Sequence, residues 1–205
     1  MKRQLHNCKT CYDFTPHAHL ERLTKSPPKT KEGEFIFFPS SGDVAFCNFT
    51  EMIKAIEFMR KWNDRTFLMQ TKNSGSFLAC SYPENCVLGI TMETDQFEFK
   101  SPSKYKLYSE ISKAVLPFWR YKGMLAVEHK RKFVTIEPIL QHTSDFADLI
   151  EEINPEFVYV GYDNHNCRLP EPSLAETLDF IEELQEFTEV RIKTLREAWW
   201  INPQG

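Results

Sequence analysis

Residues 133–162 read FVTIEPILQHTSDFADLIEEINPEFVYVGY, which has the pattern of a strand, a helix and a second strand. The run 133–140 is nearly all apolar. Ser144 and Asp145 then stand before Phe146, Leu149, Ile150 and Ile153 at helical spacing, and Pro155 stops the segment. The next run, 157–162, is again almost wholly apolar. Strands that are apolar on both faces and alternate with amphipathic helices belong to parallel sheets covered by helices.

Outward from this unit the alternation continues in both directions. Further strand-like runs lie at 34–39, 66–71, 86–92 and 190–195, which brings the expected strands to six. Phe49, Met52, Ile53, Ile56 and Met59 mark a helix that Asn48 or Thr50 can cap. Pro172 and Ser173 open another, with Leu174, Leu178, Ile181 and Leu184 on its apolar face. The stretch 104–130 is less regular, with Pro117 and Gly123 interrupting what reads as two short helices. Residues 24–33, TKSPPKTKEG, read as a surface connection. The expected fold class is α/β, an open or partial (β/α)6 barrel in one domain over residues 1–205. Residues 34–200 form the barrel and residues 1–23 a metal-holding loop.

Composition narrows the function classes. With 41% hydrophobic and 14% aromatic residues the chain has the balance of a packed globular protein, not a disordered one. The 29 acidic and 25 basic residues are spread along the chain, so charge lends no support to a nucleic-acid partner. No run approaches the ~18 apolar residues of a membrane span, and no apolar signal region opens the chain. Of the cysteines at 8, 11, 47, 80, 86 and 167, only Cys8 and Cys11 are spaced as ligands or a redox pair. A disulfide framework is therefore not expected, and a cytoplasmic location, where thiols stay reduced, is.

In wound α/β folds ligands bind beyond the carboxyl ends of the strands. The polar residues expected there are Ser40, Ser41, Gly42 and Asp43, then Thr71 and Lys72, then Glu93, Thr94 and Asp95. Gln141, His142, Tyr162, Asp163, Asn164, Lys193, Thr194 and Arg196 follow. Glu137, set in the apolar run 133–140, needs either an ion pair, with Lys193 or Arg196 as candidates, or a ligand in a cavity. Gly42 serves either a turn or a close approach of backbone to a ligand.

Residues 6–23, HNCKTCYDFTPHAHLERL, carry the strongest local signal. Cys8 and Cys11 can place two thiolates on one metal, and His6, His17 and His19 are near enough to add imidazoles, so zinc and iron–sulfur are both chemically open. The bland alternative is a pair of free thiols near a chain terminus.

Taken together, CKTCYDFTPHAHLERL, FFPSSGD, FLMQTK, LGITMET, FVTIEPIL and FVYVGYDN resemble a radical-SAM-like family that includes phage-associated three-cysteine-motif proteins. The resemblance implies a partial (β/α)6 barrel with a [4Fe–4S] cluster that reductively cleaves S-adenosylmethionine, an unknown substrate, and a reductant such as a flavodoxin or ferredoxin. It implies that Cys8 and Cys11 are the second and third cluster cysteines. The first would stand at position 4, where this chain has Gln4, and the usual aromatic before the last cysteine is Thr10. The expectation is thus a truncated member, lacking the first strand, or one that has lost the standard cluster. By the same resemblance Ser41, Gly42 and Asp43 lie where the methionine-binding motif falls, Glu93 where a residue touches the ribose, and Glu137 in an I-E-P strand motif.

Two other readings stand beside it. In one, Cys8, Cys11, His17 and His19 hold zinc in a non-catalytic protein. In the other, Glu93 and Glu137 form the acid–base pair of a barrel hydrolase.

Overall fold

The computed structural model describes residues 8–13, 15–40, 42–100 and 102–201. Six strands, β1 (Ile36–Phe37), β2 (Phe67–Thr71), β3 (Cys86–Thr91), β4 (Lys132–Ile136), β5 (Phe157–Val160) and β6 (Glu189–Ile192), pair in that order. All five pairings are parallel. The sheet curls into a half barrel with β1 and β6 as open edges. Every expected strand is present, each shorter than the apolar run that signalled it.

Among the described residues six α-helices accompany the sheet: α1 (Lys9–Tyr12), α2 (Phe49–Lys61), α3 (Tyr108–Ile111), α4 (Pro117–Leu125), α5 (Phe146–Ile153) and α6 (Leu174–Gln185). Capping boxes start α2 at Asn48/Glu51 and α6 at Ser173/Glu176, each worth about 1 kcal/mol. Asn154 ends α5 in the left-handed conformation at φ 55°, directly before Pro155. The irregular stretch resolves into α3 and α4. Pro117 starts α4 instead of breaking it, and Gly123 lies inside that helix. A Cβ at Gly123 would overlap the Ser74 side chain, so the glycine lets α4 lie against the turn Ser74–Phe77.

The two faces of the sheet are packed differently. Met69, Leu88, Ile90, Val134, Ile136, Val158 and Val160 join Ile56, Met59, Met124, Ile150, Phe180 and Ile181 in the main core beneath the helices. Each such side chain contributes about 1.5–3 kcal/mol when fully buried. On the concave face Leu68, Val87, Phe133 and Phe157 form a second, smaller cluster, with Phe35 and Tyr159 packed against it. The Phe133 ring occupies the space where Gly89 would carry a Cβ. No helix of the described residues is long and apolar enough to cross a membrane.

Candidate metal centre

Cys8 caps α1, and its Sγ accepts a hydrogen bond from the Cys11 backbone N–H at 3.3 Å. One helical turn therefore turns both sulfurs the same way. The chain then doubles back through Thr15 and Pro16 and brings His17 and His19 to the same point. Cys8 Sγ lies 3.3 Å from His17 Nε2 and 3.8 Å from His19 Nε2. Cys11 Sγ lies 3.4 Å and 3.1 Å from the same two atoms, and the imidazole nitrogens are 3.0 Å apart. All four ligand atoms fall within 4.8 Å of one another.

Zinc with thiolates at ~2.3 Å and imidazoles at ~2.0 Å on tetrahedral corners sets S···N separations of about 3.5 Å and N···N separations of about 3.3 Å. The arrangement matches that cage. Both rings are also held from behind: His17 Nδ1 meets the Thr15 carbonyl at 2.7 Å and His19 Nδ1 meets Glu21 Oε1 at 2.9 Å. Such contacts put the proton on Nδ1 and leave Nε2 as the lone-pair donor toward a metal.

The electrostatics suit thiolate ligation at one cysteine first. The Cys11 N–H lowers the Cys8 thiol to about 6, whereas desolvation and the neighbouring sulfur raise that of Cys11. The hydrogen bond to the Thr15 carbonyl raises His17, and hydrogen bonds, among them one from His19, lower Glu21. The donor set fits one metal ion. It does not fit a [4Fe–4S] cluster as placed, because a cluster takes each ligand on a different iron and so spreads its ligands around a larger body.

The strand-end residues divide into two groups. Asp43 accepts from Ala45 N, Thr71 Oγ1 and Lys72 N at 2.8, 2.5 and 2.8 Å. The Lys72 ammonium pairs with Glu93, which also receives Arg120 Nη1 at 2.7 Å and the Tyr108 hydroxyl at 3.0 Å. Asp43, Lys72, Glu93, Arg120 and Tyr108 thus form one polar chain across the carboxyl ends of β2 and β3. Glu93 is 3% exposed and Arg120 0%. Burial alone would raise the Glu93 carboxyl, but Arg120 and Lys72 outweigh it and hold it low, while burial pushes Tyr108 up to about 12.

Glu137 stands apart from this chain. β4 ends at Ile136, so Glu137 is the first residue past the strand and not within it. It lines a cleft of about 390 Å³ on the concave face, to which Glu93 does not contribute. Neither expected cation pairs with it among the described residues. Arg196 is bound bidentately to the buried Glu171 at 2.7 and 2.8 Å, and Lys193 lines the same cleft without an ion pair. Gly42 is exposed, and a Cβ there would meet no atom of the described residues within 4 Å. Ser41, His6 and Gln4 lie outside the described residues.

Arg120 and Tyr108 escape sequence reasoning, since both sit in the stretch whose helix boundaries are irregular. Their one readable signal is a lone arginine among the aromatics of PFWRYKG. Glu21, two residues after His19, could have been found from the known habit of carboxylates behind metal-binding histidines. No protein-family model matches the chain, and no curated protein sequence matches it.

Proposed function

We propose that this protein binds a single zinc ion through Cys8, Cys11, His17 and His19, and that the ion fastens the segment carrying them to an open half barrel. The observation that carries this reading is the meeting of two thiols and two correctly turned imidazoles within 4.8 Å. Four protein ligands close a tetrahedral site, and a closed zinc site supplies folding free energy instead of an activated water. Leu23, four residues beyond His19, packs against the main core and ties the loop to the sheet.

Metal analysis of the purified protein tests the reading. About one zinc per chain and no acid-labile sulfide is the expected result. No metal, or metal undiminished in the Cys8→Ser/Cys11→Ser double variant, would overturn it.

A second reading is an S-adenosylmethionine-dependent radical enzyme or a descendant of one. It is supported by the six parallel strands and by Asp43, Glu93 and Glu137 each falling beyond the carboxyl end of a strand. On this reading the Cys/His group would have to open, because as placed its donors meet at one point and do not lie on the separate irons of a [4Fe–4S] cluster. Iron with acid-labile sulfide after anaerobic purification would favour it over zinc.

A further inference from the structure

The cleft on the concave face has features that the metal centre does not explain. Its floor includes Thr135, which is only 7% exposed and whose buried Oγ1 has no hydrogen-bond partner among the described residues. A buried hydroxyl left unpaired is costly and marks a place where a ligand or water belongs. Gln70, beside it, donates its amide to Thr91 Oγ1 at 2.7 Å and keeps its carbonyl oxygen for another partner.

The charges at the rim are unspent as well. Among the described residues Glu137 receives only a 3.4 Å contact from Asn164 Nδ2. The Lys193 ammonium stands 4.8 Å from the centre of the Tyr159 ring and forms no ion pair among the described residues. The other acid of the lining, Asp163, is engaged by the His165 and Cys167 N–H groups at 3.0 and 2.6 Å, so Glu137 and Lys193 are the opposite charges that line one cavity without joining each other, and Phe37 and Tyr159 add aromatic walls.

We propose that this cleft binds a small zwitterion with an aromatic or large apolar body, of the α-amino acid class. Glu137 takes its ammonium, Lys193 its carboxylate, and the Thr135 hydroxyl completes the polar contacts, while Phe37 and Tyr159 cover the apolar body. A simple anion would meet Glu137 with the wrong sign and a simple cation would meet Lys193. A neutral ligand would desolvate both charges without replacing their hydration. A cavity of this size falls within the range for small-molecule sites.

Titration calorimetry on the full, metal-loaded chain decides it, with L-phenylalanine as probe and phenethylamine and 3-phenylpropanoate as single-charge controls. L-phenylalanine is expected to bind more tightly than either control. Glu137→Gln and Lys193→Met should each weaken it about tenfold, and Lys193→Met should leave phenethylamine unweakened. Thr135→Val should weaken it by less. Circular dichroism melting confirms that the variants fold, since the Glu137→Gln change is isosteric. No heat with L-phenylalanine at millimolar concentration would overturn the proposal. So would binding that neither charge substitution alters, or equal binding of all three probes.

Discussion

The Cys/His loop and the half barrel are built on opposite principles. Of the described residues before Val44 none is buried, whereas β3 is buried at every position and the main core beneath the helices is nearly closed to solvent. Beyond half-buried Leu23, which packs against the core, the loop draws little order from apolar burial, and an ion bound as proposed would supply the rest. The half barrel draws its order from apolar contacts distant in sequence, with one buried ionic network at its carboxyl end. The comparison teaches that a short, polar, local motif and a long, apolar, non-local one share a chain without sharing their source of stability.

The largest test of that separation is the Cys8→Ser/Cys11→Ser double variant. Bound zinc should fall from about one per chain to a small residue, given the ~10–16 kcal/mol that such sites draw from the metal. Limited proteolysis should then cut before Leu20 while the thermal transition of the barrel stays nearly in place. A barrel that melts together with the loop would break the comparison.

Next in size is Arg120→Met. It leaves the Glu93 carboxylate buried with one ammonium partner in place of two cations, and removal of one member of a buried ion pair costs about 3–5 kcal/mol. Chemical denaturation should show that loss with zinc content unchanged. Gly89→Ala is smaller, about 1–3 kcal/mol, because the new methyl group must displace the Phe133 ring on the concave face.

The smallest effect near neutrality concerns pH. Glu93 is held below its usual value of 4.5 in the folded protein. Its contribution is therefore fully present above pH 4.5 and lost as the pH falls through the lower folded value. Melting temperatures between pH 5 and 8 should show no loss from this group, and the loss below that range should be blunted in Arg120→Met. An equal acid response in both proteins would place the sensitivity elsewhere.

Much of this was legible in the residues themselves. Five of the six strands declare themselves as short, largely apolar runs, whereas β6 (EVRI) alternates apolar with charged residues, and α2, α5 and α6 declare their faces by spacing and their ends by Asn48, Pro155 and Ser173, because period, caps and proline are local properties of a chain. The four donor residues of the metal centre are likewise visible in one stretch of eighteen residues. What sequence could not determine is how side chains far apart in the chain share space. Arg120 reaches Glu93 across 27 positions, Arg196 answers Glu171 and not Glu137, and Glu137 and Lys193 are left facing one cleft. Those outcomes depend on the curl of the sheet and the register of its strands, which bring together groups that no local pattern relates. Only the tertiary structure decided which charges were neutralised within the protein and which remained open to a ligand.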